Sequence, residues 1–352
     1  MATVDRKYCA SSFLMYRVVD DETKTFSEKY PLHMVPFPSD RKPIKTSEDL
    51  QKHLEEFIAE AVKNKKKIGL ALSGGIDSAI LAKMVPKDTI AYTFKCVVPG
   101  IEVTNEVPRA SEYAKECGLE HRVVEIYWED FEAFAPELMK HKGAPIHSIE
   151  VQIYKAAKQA KADGCDIFIF GETADCIYGG HSMLLAEDYT FGQFVDRWTF
   201  LQPYHVLKDF DYPLEPYKPY EHDGMIDSAK FLTLYETKAS YNSYVNACEL
   251  ADMEFCAPYA HTIMTDPLDL ERVRRGENKY LVREVFARLY PGWEIPAKVP
   301  MPRPVNEWFK DWEGPKRPEF WPNCQKGMTG DQKWMTFALE MYLNLVDEAE
   351  QK

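Results

Sequence analysis

The stretch that decides the fold runs from residue 68 to residue 78 and reads Ile-Gly-Leu-Ala-Leu-Ser-Gly-Gly-Ile-Asp-Ser. The apolar residues 68–72 predict a buried strand, and the glycine and serine run of 73–78 predicts a turn that opens directly into a helix. Glycines let backbone N–H groups approach a ligand closely, and the N-terminus of a helix carries positive potential. The stretch therefore predicts a loop that binds phosphate or pyrophosphate, with the hydroxyls of Ser73 and Ser78 as additional donors.

Strands and helices alternate on both sides of this unit. Thr46-x-x-Asp49 fits a capping box and predicts the start of a helix that runs to about residue 65. Apolar runs at Ile90–Val98, Arg122–Tyr127 and Ile167–Phe170 predict further strands with helices between them. Strands that are apolar on both faces are typical of a parallel sheet covered by helices on both sides. We therefore predict an α/β fold with a doubly wound parallel sheet.

The rest of the chain has a different pattern. Residues 1–45 contain a strand candidate at Ser11–Val19 and several prolines, and we predict a short N-terminal appendage there. Residues 46–352 form the main domain. Its first part, 46–180, carries the alternating strands and helices, whereas 181–352 is rich in helical patterns and tyrosines. We expect 181–352 to form a mainly helical C-terminal layer.

Composition and charge exclude several classes of protein. The 352 residues are 45% hydrophobic and 28% charged, which is typical of a globular protein and not of a disordered chain. Apolar runs are too short to span a membrane, and the N-terminus lacks the apolar core of a signal peptide, so we expect a cytoplasmic protein with no membrane partner. The net charge of −13 argues against a nucleic acid partner, and the absence of a C-x-x-C pair argues against a zinc ribbon.

A second motif follows the predicted strand at Ile167–Phe170. Residues 171–180 read Gly-Glu-Thr-Ala-Asp-Cys-Ile-Tyr-Gly-Gly. Ligands of doubly wound sheets bind at the carboxyl ends of the strands, which is where both motifs are expected to lie. Asp77 and Asp175 can then hold Mg²⁺ together, because a hard cation prefers oxygen ligands.

Both motifs resemble those of known families. The 73–78 loop resembles the pyrophosphatase loop of the N-type ATP pyrophosphatase (PP-loop) superfamily, whose members cleave ATP to AMP and pyrophosphate. Residues 171–180 resemble the Gly-Glu-Gly-Ser-Asp-Glu-x-x-Gly-Gly stretch of the asparagine synthetase and β-lactam synthetase family, and the resemblance covers roughly residues 46–310. It implies an adenine nucleotide alpha hydrolase-like fold with ATP and Mg²⁺ as cofactors. The residues implied to contact ATP or pyrophosphate are Leu72, Ser73, Gly74, Gly75, Asp77, Ser78 and Gly171.

The resemblance also assigns roles to single residues. The family's motif aspartate is a magnesium ligand and its first glutamate lies at the acceptor site, which implies these roles for Asp175 and Glu172. This sequence departs from the family pattern at Thr173-Ala174, which replace Gly-Ser, and at Cys176, which replaces the second glutamate.

A third stretch supports the same family. Residues 278–284 read Asn-Lys-Tyr-Leu-Val-Arg-Glu and are followed by Pro296-Ala297-Lys298. They resemble the family's Lys-Tyr-Leu-Leu-Arg-Glu helix and the short loop with a catalytic lysine that follows it. The resemblance implies that Lys298 stabilises the charge that develops on the α-phosphate and pyrophosphate during adenylation.

Together these features predict an ATP-dependent amide-forming ligase. A substrate carboxylate would be adenylated with release of pyrophosphate, and ammonia or an amine would then displace AMP, with Glu172 as a candidate general base and catalytic residue. Glutamine-using members of the family carry an N-terminal glutaminase domain with an N-terminal cysteine, whereas Ala2 follows Met1 here. We therefore expect the nitrogen to come from free ammonia, from a separate glutaminase subunit or from an amine on the substrate.

Two other functions stay open. Sulfur or nitrogen transfer to a nucleobase is known on the same loop, and it would require a reactive cysteine such as Cys176. A non-catalytic nucleotide-binding module is the second alternative, since the 172–176 loop is altered. Two further groups are ambiguous: Arg272, Arg274 and Arg275 form either a solvated helix face or an anion site, and the tyrosines of 204–244 serve packing or an acceptor pocket.

Overall fold

The structure is a computed structural model that describes residues 2–297 and 301–351. Its α-helices are α1 (Arg6–Tyr16), α2 (Ser47–Val62), α3 (Ile76–Met84), α4 (Val107–Cys117), α5 (Trp128–Lys142), α6 (Ile149–Ala162), α7 (Ala174–Ile177), α8 (Phe191–Trp198), α9 (Pro203–Val206), α10 (Ser228–Phe231), α11 (Thr237–Leu250), α12 (Leu270–Arg274), α13 (Tyr280–Leu289), α14 (Val305–Trp308) and α15 (Gly330–Glu350). Short 3₁₀ helices lie at Ser182–Leu184, Lys218–Tyr220 and Pro258–His261, and a π-helix at Leu232–Glu236 joins α10 to α11.

The strands are β1 (Thr3–Val4), β2 (Lys24–Thr25), β3 (Lys42–Ile44), β4 (Ile68–Ala71), β5 (Ile90–Cys96), β6 (Glu120–Ile126), β7 (Ile167–Ile169), β8 (Tyr189–Thr190), β9 (Glu221–His222), β10 (Met225–Ile226), β11 (Glu254–Cys256) and β12 (Thr262–Met264). Five of them form a parallel sheet in the order β11-β7-β4-β5-β6. β4 lies at its centre, where Ile68 pairs with Ile167 of β7 and Gly69 pairs with Ile90 of β5. The predicted parallel sheet is confirmed.

Helices cover both faces of the sheet. Side chains alternate along β7, so that Ile167 and Ile169 pack with α2, α3 and α13, whereas Phe168 and Phe170 pack with α5, α6, α11 and α15. Phe168 is fully buried at the centre of the second set. Because both faces are apolar and covered, the doubly wound α/β architecture predicted from the sequence is confirmed.

The fifth strand, β11, is absent from the sequence prediction. It contains three residues, its first residue is exposed, and it lacks an apolar run of its own. Its pairing with β7 depends on α11, which returns the chain to the sheet edge, and the Phe170 N–H donates to the Cys256 carbonyl at 2.8 Å. A strand this short is selected by tertiary pairing and not by local pattern.

The predicted strand at Ser11–Val19 is wrong, because residues 11–16 belong to helix α1 and the helix ends at Arg17. The Asp5 side chain accepts a hydrogen bond from the Tyr8 N–H at the start of α1, and Arg17 ends the helix at a φ of 64°. All residues from 9 to 16 are buried, so the helix lacks a polar face. Short, evenly apolar runs of this kind have no periodicity that separates helix from strand. The domain boundary at residue 45 stays a prediction.

The C-terminal layer is mainly helical, as predicted, and includes small sheets that the sequence did not indicate. The antiparallel sheet β8-β10-β9 borders a third core that is rich in aromatic rings. Phe231 stacks on Tyr217 and on Tyr235 with ring centroids 5.1 and 4.9 Å apart. Within the two described ranges, no helix combines the length and the apolar character that a membrane span requires.

Candidate active site

A cavity of about 280 Å³ opens at the carboxyl edge of the sheet, between the ends of β4 and β7. This edge is where ligands bind in doubly wound folds. The cavity is lined by Ala71, Leu72, Ser73, Gly75, Ile76, Asp77, Ser78, Tyr92, Phe94, Glu106, Phe170, Gly171, Glu172, Asp175, Tyr244, Asn278, Lys279, Arg283, Ile295, Pro296, Ala297 and Met301. The residues predicted from the two motifs are thus brought together in one place.

The 73–78 loop is a compact turn held by its own serines. The Ser73 N–H donates to Ser78 Oγ at 3.0 Å, the two hydroxyl oxygens lie 2.9 Å apart, and the Gly75 N–H donates to Ser73 Oγ at 3.1 Å. Gly75 caps the N-terminus of α3 without a side-chain partner for the helix amides. The serines therefore shape the loop, while the start of α3 presents positive potential to the cavity.

Glu106 is a part of this loop site that the sequence did not reveal. Its Oε1 accepts a hydrogen bond from the Gly74 N–H at 3.1 Å. Burial raises the pKa of Glu106, and the hydrogen bond from Gly74 opposes that shift. The Gly74 amide therefore donates to an oxygen acceptor, as the backbone amides of phosphate-binding loops do. Of the predicted phosphate contacts, Gly74 does not line the cavity, whereas Glu106, which accepts from its amide, does.

The two predicted metal carboxylates meet at a lysine. Lys279 Nζ lies 2.7 and 2.9 Å from the two carboxylate oxygens of Asp77 and 3.0 Å from Asp175 Oδ1. Burial opposes the charge of Lys279, but the attraction of both carboxylates outweighs it and raises the pKa of the lysine. Lys279 stands at the start of α13 in the left-handed region, with a φ of 53°. The structure therefore places the ammonium group of Lys279 between Asp77 and Asp175.

These carboxylates fit a magnesium ion chemically. Oxygens of Asp77 and Asp175 approach one cationic group within 3.0 Å, which means that they can serve one centre together. Carboxylate oxygens are the ligands that Mg²⁺ takes in nucleotide sites, usually one or two of them together with phosphates. The donor set of the site thus agrees with the metal assignment for Asp77 and Asp175.

Glu172 also lines the cavity, and residues of α11 hold its carboxylate. Ser240 donates a short hydrogen bond to Glu172 Oε1, and the Tyr244 hydroxyl also hydrogen-bonds the carboxylate. Burial raises the pKa of Glu172, while these two hydrogen bonds lower it and the nearby charge of Asp175 raises it further. The net shift is upward, so this carboxyl group takes up a proton more readily than an exposed glutamate does.

Gly171 joins the two loops. A Cβ at this position would lie 3.0 Å from the Ser78 nitrogen and 3.1 Å from Asp77 Cβ. Backbones approach this closely only where a side chain is absent. The glycine therefore lets Asp77 and the 171–180 loop share one cavity.

Lys298, the predicted catalytic lysine, lies outside the described residues. Ala297 and Met301, on either side of the undescribed segment, line the cavity. Sequence reasoning quoted the stretch that contains Lys279 but gave that lysine no role. Its place as the first residue of the Lys-Tyr-Leu motif, directly before a predicted helix, is the signal that could have identified it.

The ambiguous groups have structural contacts. Arg272 pairs with Glu277 and Glu284 at the surface, and Arg274 pairs with Asp188. In the tyrosine-rich stretch, Tyr244 lines the cavity, whereas Tyr217 packs in the third core. The arginine cluster thus lies outside the cavity lining, while the tyrosine stretch contributes to both packing and site.

Solved structures with partial similarity include an NH3-dependent NAD synthetase from Campylobacter jejuni, at 18% identity over 38% of this chain and 60% of that one, with a TM-score of 0.26. NMN synthetase from Francisella tularensis is 15% identical over 73% of this chain and 99% of that one, with a TM-score of 0.29. The U34-tRNA thiolase NcsA from Methanococcus maripaludis is 15% identical over 72% and 82%, with a TM-score of 0.28. Similarity at these TM-scores carries no argument about function.

Sequence comparison is more specific. A curated relative, "Putative asparagine synthetase (glutamine-hydrolyzing) 1" of Methanocaldococcus jannaschii, is 25% identical over 177 residues, which are 49% of this chain and 32% of that protein. The chain thus matches about a third of the length of that relative. The family model for asparagine synthase matches residues 49–254, more than half of the chain and including both loops of the cavity. The chain belongs to the asparagine synthase family.

Proposed function

We propose that this chain is an ATP-dependent amide-forming ligase that activates a substrate carboxylate as its adenylate. The observation that carries the proposal is the meeting of Asp77, Asp175 and Lys279 beside an anion-attracting loop, in a member of the asparagine synthase family. Such a cluster suits the triphosphate of ATP, whose charge needs both a lysine and a metal ion. The part of the lining around Glu172 suits an acceptor.

On the phosphate side, the chain supplies fixed positive charge. Lys279 stays protonated because its pKa is raised, and it can turn from the carboxylates toward the leaving pyrophosphate. The start of α3 adds the potential of its unpaired amides. Mg²⁺ held by Asp77 and Asp175 would neutralise further charge on the phosphates. We also propose that Lys298 is a second lysine that stabilises the negative charge on the phosphates.

The proposed reaction has two steps. One oxygen of the acceptor carboxylate forms a bond to the α-phosphorus of ATP while the bond from that phosphorus to pyrophosphate breaks. The nitrogen of ammonia or an amine then forms a bond to the acyl carbon, and the bond from carbon to AMP breaks. Glu172 accepts the proton that the nitrogen loses, for which a raised pKa is an advantage, since it brings the carboxyl group closer to neutral pH.

The proposed partners follow from the same chemistry. The acceptor is a small-molecule carboxylate, and the nitrogen comes from free ammonia, from an amine or from a separate glutaminase subunit. The net charge of −13 supports a small substrate over a nucleic acid. We keep the cytoplasm as the proposed location.

Oxygen transfer tests the proposal directly. Candidate carboxylates labelled with ¹⁸O are incubated with Mg·ATP, with and without ammonium, and AMP and pyrophosphate are measured. We expect one ¹⁸O from the correct acid in AMP, and no release in Asp77→Asn. Glu112→Asn is the matched control, because Glu112 pairs with Arg109 at the surface and should keep activity.

Three results would contradict the proposal. AMP that carries only solvent oxygen would mean hydrolysis of ATP without acyl transfer. Release that depends on tRNA would favour transfer to a nucleobase. ATP binding without pyrophosphate release, across all acids and nitrogen donors, would favour a binding module.

A further inference from the structure

Three side chains with metal-binding atoms meet behind the acceptor side of the cavity. They are Cys176 on α7, His181 just after Gly180, and Glu236 at the end of the π-helix. Cys176 Sγ lies 3.6 Å from His181 Nε2, and that nitrogen lies 3.2 Å from Glu236 Oε2. All three ligand atoms lie within 4.8 Å of one another. Cys176 stands at a position where the resembled family pattern has glutamate, so this combination is a feature of this chain.

These distances agree with the ligand spacing of tetrahedral zinc. Bonds of about 2.3 Å to sulfur and about 2.0–2.2 Å to nitrogen and oxygen, at tetrahedral angles, separate sulfur from nitrogen by about 3.6 Å and nitrogen from oxygen by about 3.4 Å. The observed 3.6 and 3.2 Å differ little from these values. The three atoms could therefore bind one ion with small movements.

A nucleophile triad explains the cluster less well. In such a triad the histidine uses one ring nitrogen for the nucleophile and the other for the carboxylate. Here Nε2 of His181 faces both Cys176 and Glu236. One nitrogen cannot take a proton from the thiol while it donates its own proton to the carboxylate. Around a shared ion, by contrast, the thiol sulfur and the carboxylate oxygen are both expected to lie close to the same histidine nitrogen.

Glu236 provides an independent indication. It is 7% exposed, and among the described residues its Oε2 makes no contact with hydrogen-bond geometry, although it faces His181. Its other oxygen lies 3.5 Å from an Arg17 nitrogen. A buried carboxylate oxygen without a hydrogen bond is costly unless a ligand satisfies it. Glu236 also ends a π-helix, a feature that is frequent at functional sites.

We propose that Cys176, His181 and Glu236 bind one thiophilic divalent ion of the zinc class, with water as a fourth ligand. The Cys176 thiolate and the Glu236 carboxylate each carry a negative charge, and Arg17 carries a positive one, so the net charge of these groups is −1. A bound divalent ion changes this net charge to +1. Imidazole, thiolate and carboxylate are each established zinc ligands. The site is distinct from the Asp77 and Asp175 pair, whose oxygen ligands suit Mg²⁺.

The position of the site suggests what the ion does. Cys176 and His181 belong to the loop that carries Glu172 and Asp175, whereas Glu236 directly precedes α11, which carries Ser240. Ser240 is the residue that holds Glu172. An ion at this point would therefore fix the acceptor loop to the helix that orients its carboxylate, as structural zinc does elsewhere.

Metal analysis and cobalt spectroscopy test the proposal. The full chain is purified without added metal, and zinc is measured by mass spectrometry. We expect about one zinc ion per chain, as for a single site, and background levels in Cys176→Ser and Glu236→Gln. Cobalt added to chelator-treated wild-type protein should give the near-ultraviolet thiolate-to-cobalt absorption band. That band should be absent in Cys176→Ser.

Two control variants separate this site from other ligands. Cys248→Ser removes another buried thiol, and His33→Ala breaks a surface cluster of His33, His141 and Glu249. Both should keep the zinc and the cobalt band. Wild-type protein that gives no such band overturns the proposal even if a variant fails to fold. Zinc that is lost in His33→Ala but kept in Cys176→Ser also overturns it.

Discussion

The loop after β4 and the loop after β7 lie side by side at the same sheet edge, but different contacts hold them. The 73–78 loop is held from within, because Ser73 and Ser78 hydrogen-bond each other and the backbone of the same turn. The 171–181 loop is held from outside, because Ser240 contacts Glu172 and Glu236 faces His181. The serine contacts that shape the first loop are local, whereas Glu172 in the second loop is held by Ser240, 68 residues further along the chain.

This difference explains where the chain keeps and where it changes the family pattern. A self-contained turn tolerates few substitutions, since each serine and glycine has a fixed structural task. A loop that is oriented by a distant helix can change when its partners change with it. Cys176, which faces His181, is such a change. Under the proposed function, we expect the first loop to serve ATP and the second loop to serve the acceptor.

The strongest test of the comparison is Lys279→Met, which removes the ammonium shared by the two loops. Asp77 and Asp175 then repel each other in a partly buried site, so we expect the free energy of unfolding to fall by about 3 kcal/mol. Pyrophosphate release should fall about 100-fold or more. Urea unfolding and a pyrophosphate assay measure both effects.

Lys63→Met is the control for this variant, because Lys63 is exposed and pairs with Glu60, three residues earlier in the chain. Its unfolding free energy should change by less than about 0.5 kcal/mol. A Lys279→Met protein with normal pyrophosphate release would show that the two loops do not share this cation in catalysis.

Gly171→Ala should have the next largest effect, since it forces the loops apart. The added methyl group would lie 3.0 Å from the Ser78 nitrogen, which belongs to backbone that cannot rotate away. We expect a loss of about 1–3 kcal/mol in unfolding free energy and a fall of about tenfold in pyrophosphate release, because the reacting groups are misplaced. Gly192→Ala, where no described atom beyond the adjoining backbone of its own helix lies within 4 Å of the added Cβ, should have neither effect.

Ser240→Ala should change only the 171–181 loop, because Ser240 contacts Glu172 of that loop. Ser240 donates to Glu172 and thereby lowers the pKa of that carboxyl group, opposing the effect of burial. Without this hydrogen bond the pKa of Glu172 rises further. Glu172 then becomes protonated, and stops acting as a base, at a higher pH than in the wild type. The acidic side of the pH–rate profile for amide formation should move to higher pH, with a rate about fivefold lower there.

Ser243→Ala is the matched control on the same helix, because its hydroxyl donates to the Ala239 carbonyl and not to the site. Its pH–rate profile should coincide with that of the wild type. Profiles that coincide for Ser240→Ala as well would remove Glu172 from the role of general base.

Glu106→Gln should have the smallest effect of these variants, and it acts on the 73–78 loop. The amide oxygen can still accept from the Gly74 N–H, but the negative charge near the phosphates is removed. We expect Mg·ATP to bind about threefold more tightly, as measured by titration calorimetry. Glu112→Gln, on helix α4 that follows Glu106 but outside the cavity lining, should not change the affinity. Weaker binding in Glu106→Gln would mean that this carboxylate supports the cations of the site.

Much of the sheet was predictable because its signals are local. The apolar run at 68–72 and the capping box at Thr46 and Asp49 correspond to β4 and to the start of α2. These features depend on neighbours within a few residues, which the sequence displays directly. By contrast, α1 was mistaken for a strand because it is buried on all sides, and β11 was missed because its partner strand lies far away in the sequence.

The sequence by itself determined the α/β fold, the phosphate-type loop at 73–78 and the pair of carboxylates at its edge. Only the tertiary structure decided which side chains meet them. Lys279 between Asp77 and Asp175, Ser240 on Glu172 and Glu236 beside His181 come from the region after residue 230, where local patterns indicated helices and a family resemblance at 278–284 but no contact partners. The physical reason is that a helix sequence specifies its buried face, whereas the partner of that face is chosen by packing across the whole domain.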